Sequence, residues 1–243
     1  MPRHIGLPAA GRDKPVKHLT YKKRLMIEIL DNLDKQWLLA LNNDYSVFWD
    51  GIMFAFSEKI TWIPLYISMI YVIYRRWKKE SWWLILALIL SVVFADQIAS
   101  GILKDWVARL RPSHDPSLAG QVVLVNGYKS GLYGFVSSHA ANSFALALLS
   151  SLFFRNRIFT VFIFLWAFIN AYSRIYLGVH YPGDVLGGAL VGVFVAVVLF
   201  LLLKKIRPAL FAEYRTGEIK YMIPVWIFLV TCVGLIGYSV WFF

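Results

Sequence analysis

Six long apolar runs, separated by shorter polar segments, dominate the chain after about its first 50 residues. They cover residues 53–74, 82–104, 138–154, 158–172, 185–203 and 221–243. A helix of about 20 mostly apolar residues has the length that crosses a bilayer. The pattern therefore predicts an all-α fold, an integral membrane bundle of six transmembrane helices.

The segment before the first run is polar or amphipathic. Residues 1–20 are basic and contain three prolines, which predicts a disordered tail, and they lack the apolar core of a signal peptide. In residues 21–42, apolar side chains recur every four positions opposite charged ones. Such an N-terminal amphipathic helix either lies on the membrane surface or packs on the mouth of the bundle, and the sequence leaves both open. We expect a single domain over residues 21–243.

Composition agrees with a membrane protein. Hydrophobic residues make up 59% of the 243 and charged residues only 16%, whereas a soluble domain is usually about 45–50% apolar. The net charge of +11 would suggest nucleic acid for a soluble protein, but here it is typical of cytoplasmic loops and contacts with anionic headgroups. The predicted partner is therefore the lipid bilayer and not nucleic acid. Nothing in the sequence indicates an oligomeric state.

Polar residues that membrane sequences normally avoid occur where the runs end. With six spans, the ends of the second and fourth and the starts of the third and fifth lie on one face of the bundle. The polar residues at those ends are Lys104, Arg111, Ser137, Ser138, His139, Arg174, His180 and Asp184. Their convergence predicts an active site. Because the loops of the opposite face are rich in lysine and arginine, we expect a cell (inner) membrane protein with this site on the periplasmic or outer face.

One part of this set suits an anion. Lys104, Arg111 and Arg174 would repel one another unless an anion lay between them, and arginine binds phosphate bidentately. Ser137 precedes a predicted helix, and the amide of Ser138 would point outward with the helix dipole behind it. These residues predict a phosphate pocket.

The other part suits proton transfer and nucleophilic attack. His180 and Asp184 are four residues apart, so a carboxylate can orient the imidazole and raise its basicity. His139 has no such carboxylate nearby and suits an acid that protonates a leaving oxygen. The set offers neither a carboxylate cluster for magnesium nor a third ligand for catalytic zinc. We therefore expect no metal and no cofactor.

Three motifs in this set resemble the signatures of the type-2 phosphatidic acid phosphatases, whose superfamily includes the vanadium haloperoxidases. Residues 104–112, Lys-Asp-Trp-Val-Ala-Arg-Leu-Arg-Pro, are similar to Lys-x6-Arg-Pro. Residues 136–139, Val-Ser-Ser-His, resemble Pro-Ser-Gly-His, and residues 173–184 resemble Ser-Arg-x5-His-x3-Asp. The trio occurs in order over the core motifs 104–184, and the resemblance covers about residues 60–205.

The resemblance implies a phosphohistidine mechanism. His180 would attack phosphorus, Asp184 would hold His180, and His139 would protonate the departing oxygen and later activate water. The residues that would bind the phosphoryl oxygens are Lys104, Arg111, Ser137, Ser138 and Arg174.

The second motif departs from the family pattern in two places. Val136 stands where the family has proline, and Ser138 stands where it has glycine. Ser138 still carries a backbone N–H, while its side chain would either crowd the pocket or add a donor. The departures therefore bear on substrate fit more than on the chemistry.

The predicted function is a metal-independent membrane lipid phosphatase that hydrolyses a phosphomonoester or pyrophosphate on a lipid. Candidate substrates are undecaprenyl pyrophosphate, phosphatidylglycerophosphate, phosphatidate and a lipid A phosphate. One alternative is a lipid phosphotransferase that uses the same site. Another is a non-catalytic lipid-binding or transport protein, although pure binding would need the cations and not His139, His180 and Asp184.

Other polar residues are expected to be structural. Those predicted to make hydrogen bonds inside the bundle are Asp96, Asn142, Ser143 and Asn170. Four others are expected in a solvated loop, with tuning of headgroup recognition as the alternative: Arg109, His114, Asp115 and Lys129. Gly188 and Gly192 have the small-xxx-small spacing that allows close helix packing.

Overall fold

The computed structural model describes residues 14–43, 46–211 and 222–242, and every regular element in these ranges is a helix. The α-helices are α1 (Lys14–Leu41), α2 (Val47–Ser57), α3 (Ile63–Trp77), α4 (Ser81–Asp96), α5 (Lys104–Val107), α6 (Ser138–Phe154), α7 (Arg157–Tyr176), α8 (Pro182–Ile206) and α9 (Ile223–Phe242). The prediction of an all-α fold is confirmed.

Several of these helices can cross a bilayer. Within the described ranges, four segments are long and apolar enough, namely Ile60–Val107, Arg157–Tyr176, Pro182–Ile206 and Ile223–Trp241. The first has 48 residues and contains both α3 and α4. Val47–Ser57 and Ser138–Phe154 are apolar but shorter. The chain is therefore a multi-pass membrane protein, and the count of six spans stays a prediction.

The first predicted run is divided into two helices. α2 ends at Ser57, and Glu58 adopts an extended conformation while its N–H still bonds to the carbonyl of Ala55 at 3.2 Å. A 3₁₀ turn, Ile60–Trp62, then leads into α3. The charged pair Glu58 and Lys59 thus marks a helix boundary because charged side chains are disfavoured within an apolar helix.

The N-terminal helix starts earlier than expected. The sequence predicts a helix over residues 21–42, whereas α1 begins at Lys14, so the last part of the predicted tail is helical. Residues 1–13 of that tail lie outside the described residues, as do residues 221 and 243 of the sixth predicted run. The position of α1 relative to a membrane stays a prediction.

Helices α6 and α8 pack with their backbones in close contact. A Cβ atom on Gly188 would lie 2.2 Å from the carbonyl oxygen of Ser137, and one on Gly192 would lie 2.2 Å from that of Ala141. Only glycine fits at such distances, so the expected close packing is confirmed. α4 and α7 flank this pair, and α3 and α9 pack on the outside. The starts of α6 and α8 are thereby held side by side.

Candidate active site

Local capping interactions bring the starts of α6 and α8 together. The Ser137 hydroxyl accepts a hydrogen bond from Ala140 N at 3.4 Å and so caps α6. The backbone N–H of Ser137 donates to the carbonyl of Asp184 at 2.9 Å. Asp184 is the third residue of α8, and its carboxylate accepts from Tyr181 N at 3.1 Å, as in a capping box. Asp184 is therefore fixed by the start of its own helix.

His180 lies between Asp184 and Arg111. Its Nδ1 is 3.3 Å from Asp184 Oδ2, and its Nε2 is 2.6 Å from Arg111 Nη1. Since the guanidinium can only donate, Nε2 accepts and the proton resides on Nδ1, which donates to the carboxylate. Burial and the charges of Arg111, Arg174 and Lys104 lower the pKa of His180 well below its usual value. The imidazole is therefore neutral, with the Nε2 lone pair directed at the cationic pocket.

Two buried arginines form the wall opposite the imidazole. Arg111 is 5% exposed and Arg174 is 3% exposed, so water hydrates neither guanidinium well. Arg111 Nη1 also donates to the Val179 carbonyl at 3.0 Å, and Arg174 Nη1 donates to Ser57 Oγ at 2.5 Å. The Nε atoms of both arginines are buried without a hydrogen-bond partner among the described residues. Buried donors of this kind are suited to the oxygens of an anion.

Lys104 and His139 complete the surroundings of His180. Lys104 Nζ donates to Ser100 Oγ at 3.0 Å and lies 3.5 Å from Ser138 Oγ. His139 follows Ser138 in the first turn of α6, where it is half-buried and the charge of Arg174 acts on it. The structure thus brings together all eight residues that the sequence predicts to converge.

Arg109 is not in a solvated loop, and that expectation is wrong. Its side chain is 20% exposed and forms ion pairs with three carboxylates. The distances are 2.9 Å to Asp31, 2.7 Å to Asp34 and 3.1 Å to Asp184. Burial lowers the pKa of Arg109, but Asp184 and Asp34 raise it more, so the net direction is upward. Asp115 is likewise engaged, because it accepts from Tyr181 Oη at 2.8 Å and pairs with Lys35 at 3.1 Å.

Two further residues around Arg174 were missed by the sequence analysis. Ser57 holds its guanidinium, and the ring centroid of Tyr128 lies 5.6 Å from Arg174 Cζ. Burial raises the pKa of Tyr128, but hydrogen bonding to Arg174 and the charge of that arginine lower it more, so the net direction is downward. A serine within the first apolar run and a tyrosine in a long loop give no sequence signal for this role.

The predicted hydrogen bonds inside the bundle are confirmed. Asn142 Nδ2 donates to Asp96 Oδ1 at 3.2 Å, and Ser143 Oγ donates to Asn170 Oδ1 at 2.9 Å. Asn170 Nδ2 in turn donates to the Phe56 carbonyl at 3.1 Å. These bonds tie α4, α6, α7 and α2 together just beneath the site.

Known proteins resemble this chain in sequence. The family model of the PAP2 superfamily matches residues 80–208. A lipid A 4'-phosphatase from Bacteroides thetaiotaomicron is 39% identical over 223 residues, which are 88% of this chain and 99% of that protein. A lipid A 4'-phosphatase from Porphyromonas gingivalis is 36% identical over 170 residues, 70% of this chain and 72% of that protein.

A solved structure agrees with these matches. Aquifex aeolicus LpxE superposes with a TM-score of 0.53 at 27% identity, covering 70% of this chain and 95% of that one. The phosphatidylglycerolphosphate phosphatase of Bacillus subtilis, at 20% identity and a TM-score of 0.57 over 79% of this chain and 97% of that one, shows the same fold. A helical membrane bundle with this site is a membrane phosphatase, an enzyme of the hydrolase class. The chain belongs to the PAP2 superfamily.

Proposed function

We propose that this protein removes phosphate from a membrane lipid without a metal, by way of a phosphohistidine at His180. The single observation that carries this proposal is the line formed by Asp184, His180 and Arg111, with Nε2 of the neutral imidazole facing buried guanidinium groups. A nucleophile held by a carboxylate beside an anion pocket is what transfer of a phosphoryl group requires.

The proposed reaction has two steps. In the first, His180 Nε2 forms a bond to phosphorus while the bond from phosphorus to the lipid oxygen breaks, and His139 gives that oxygen a proton. In the second, His139 takes a proton from water, whose oxygen attacks phosphorus, and the bond to Nε2 breaks to release inorganic phosphate. Asp184 holds the His180 ring throughout. The donors for the phosphoryl oxygens are Lys104, Arg111, Ser137, the Ser138 amide and Arg174.

The choice of substrate rests on the relatives. We infer that the 4'-phosphate of lipid A is the substrate, because a lipid A 4'-phosphatase matches 88% of this chain and 99% of its own length. The second candidate is phosphatidylglycerophosphate. The phosphatidylglycerophosphatase B of Bacillus subtilis is 30% identical over 126 residues, 48% of this chain and 55% of that protein.

A groove beside His139 supports an acylated substrate. A cavity of about 390 Å³ runs between α3, α4, α6 and α7, with His139 and Lys59 among its lining residues. Most of its wall is apolar, for example Ile85, Leu88 and Val92. An acyl chain of the substrate that occupied this groove would enter the site beside His139, the proposed acid. A soluble phosphate ester has no acyl chain to fill the groove.

The proposal includes an arrangement in the membrane. The six predicted runs would all cross the bilayer of the cell (inner) membrane, with α1 along its surface and the site on the periplasmic face. The exposed apolar side chains of α1, which include Ile27, Leu30 and Trp37, support contact with lipid. Cysteine accessibility on either side of intact spheroplasts would test this arrangement.

A substrate panel tests the function. The purified protein is supplied with lipid A, phosphatidylglycerophosphate, phosphatidate and undecaprenyl pyrophosphate, and released phosphate is measured with and without EDTA. We expect the highest kcat/KM with lipid A, loss of the 4'-phosphate by mass spectrometry, and no effect of EDTA. Transfer of labelled phosphate to an added acceptor instead of water would favour the phosphotransferase. Binding of these lipids without release of phosphate would overturn the proposal.

A further inference from the structure

We propose that Asp34 and Arg109 are positioning residues for the reaction: α1 supplies a carboxylate that fixes Arg109, and Arg109 fixes Asp184. The inference rests on the proposed function, because it takes His180 as the nucleophile that Asp184 orients. It adds a part of the chain, α1, that lies outside residues 80–208 matched by the family model.

Three carboxylates and an aromatic ring surround the guanidinium of Arg109. Nη1 donates to Asp34 Oδ2 at 2.7 Å and to Asp184 Oδ1 at 3.1 Å, and Nη2 donates to Asp31 Oδ1 at 2.9 Å. Its Cζ lies 3.9 Å from the ring centroid of Tyr181. A planar group held by three carboxylates and an aromatic face has one orientation only.

Asp184 depends on this orientation. Its Oδ2 accepts from Tyr181 N at 3.1 Å and faces His180 Nδ1 at 3.3 Å, while its Oδ1 accepts from Arg109. The side chain of Asp184 is 0% exposed, and a buried charge is costly unless it is paired and hydrogen-bonded. Arg109 is the cation that contacts it directly, so Arg109 both compensates the charge of Asp184 and sets its rotation.

Asp34 connects α1 to Arg109 and to the start of α8. Its Oδ1 accepts from the backbone N–H of Gly183 at 2.7 Å, directly before Asp184, while Oδ2 accepts from Arg109. A Cβ atom at residue 183 would lie 2.6 Å from Asp34 Oδ2, so glycine is what allows the carboxylate to approach. Asp34 thus contacts both the guanidinium and the start of α8.

Helix α1 has other attachments that do not involve Asp34. Lys35 pairs with Asp115 at 3.1 Å, and Asn42 Nδ2 donates to the carbonyls of Val123 at 3.0 Å and Tyr176 at 2.7 Å. Substitution of Asp34 is therefore expected to leave α1 docked. This separates a positioning role from a purely structural one.

The pKa of His180 depends on the charges around it, so it gives a readout of Arg109 that a simple loss of folding would not reproduce. Its neighbours are the cations Lys104, Arg111 and Arg174, the imidazole of His139 and the carboxylate of Asp184. The contact between Arg109 and His180 runs through Asp184. Without Arg109, the carboxylate is less compensated and favours the imidazolium, so protonation of His180 shifts to higher pH.

The experiment compares Asp34→Asn and Arg109→Gln in the full-length protein. With the lipid phosphate that wild type hydrolyses, we expect kcat to fall about 10-fold in Asp34→Asn and about 100-fold in Arg109→Gln, with KM within about twofold. The acid limb of kcat/KM should move to higher pH in Arg109→Gln. The double variant should be no slower than Arg109→Gln alone, because an asparagine at residue 34 still offers an oxygen to the Gly183 N–H and loses only the charge that pairs with Arg109. Glu80→Gln, which removes the carboxylate that pairs with Arg207 at 2.5 Å, is the matched control and should keep wild-type values.

The pKa of the His180 imidazole, followed by ¹⁵N NMR of histidine-labelled protein, is a second measurement that needs no turnover. It should rise in Arg109→Gln even if no lipid tested is a substrate, so failure of the proposed function is distinguishable from failure of this inference. Wild-type kcat in both variants, losses that multiply in the double variant, or an unchanged pKa of His180 would each overturn it. Should Arg109→Gln not fold, Asp34→Asn decides by its kcat, and Arg109→Lys, which keeps the charge but not the planar fork, should lower kcat while the pKa of His180 stays near its wild-type value.

Discussion

Arg109 and Arg111 are separated by one residue, yet their guanidinium groups have opposite surroundings. Arg109 is surrounded by the carboxylates of Asp31, Asp34 and Asp184. Arg111 contacts the imidazole of His180 and a backbone carbonyl, and its Nε is buried without a hydrogen-bond partner in the described part of the chain. Burial and Arg174 lower the pKa of Arg111 to about 10. The first arginine is already neutralised by the protein, and the second is prepared for an anion.

The backbone explains how two neighbours come to flank one catalytic pair. Leu110 pairs with Tyr133 in an isolated antiparallel bridge, and Arg111 N donates to the Leu132 carbonyl at 3.0 Å. In an extended segment, residues two apart project to the same side, about 6.6 Å from each other. Arg109 and Arg111 therefore reach the same site, where Arg109 contacts the carboxylate of Asp184 and Arg111 contacts Nε2 of His180.

The largest effect is expected from removing the imidazole of His180, on which both arginines act. His180→Ala should lower the hydrolysis of lipid phosphate by about 10⁴-fold or more, because no nucleophile remains to form the covalent intermediate. Phosphate release is the measurement, and ³²P trapping should show no phosphoprotein. His114→Ala, a loop histidine that contacts Ser113, is the control and should keep activity. Turnover retained in His180→Ala would refute the mechanism.

The two arginines should respond differently to an oxyanion inhibitor. Arg111→Ala should lower kcat/KM by about 10²–10³-fold, the usual loss for one oxyanion donor, and should weaken inhibition by vanadate. Arg109→Lys should leave vanadate inhibition within about threefold of wild type, because its donors face protein carboxylates and not the pocket. Inhibition constants measured on the purified variants make the comparison. Equal weakening in both would mean that Arg109 also contacts the anion.

The pH dependence of kcat/KM tests the role of Arg111 in a second way. Burial and the cations Arg111, Arg174 and Lys104 lower the pKa of His180 below 6.5. Only the neutral imidazole attacks phosphorus, so kcat/KM, corrected for ionisation of the lipid phosphate, should stay level as the pH falls through 6.5. In Arg111→Ala the acid limb should move to higher pH, since a neighbouring cation is gone. A wild-type limb at or above pH 6.5 would contradict this.

The smallest effect concerns the residue that holds Arg174. Ser57→Ala removes one hydrogen bond to the guanidinium, a loss of about 1.5 kcal/mol or roughly tenfold in kcat/KM. Ser68→Ala is a matched control, because Ser68 is also buried but bonds to the Leu65 carbonyl within its own helix. Steady-state kinetics on both variants, with thermal melting as a check of folding, would measure the difference.

The cations of the pocket and Asp184 were predictable from the sequence, and the carboxylates that α1 contributes were not. Lys104, Arg111, Arg174 and His180 stand at the ends of apolar runs, where charge is conspicuous and where alternation of spans brings them to one face. Asp31 and Asp34 belong to a helix with charged residues throughout, so they look like an ordinary solvated face. Their partner Arg109 is 78 and 75 residues away, and nothing local marks it as buried.

The contact between α6 and α8 has a consequence for the gap between the two imidazoles. One imidazole belongs to the second residue of α6 and the other lies two residues before α8, and the backbones of these helices touch at Gly188 and Gly192. The width of that gap is thus set by main-chain contact and not by adjustable rotamers. Changes in bilayer thickness or lipid composition would tilt the two helices as a unit and leave the width constant, so turnover should tolerate very different membranes.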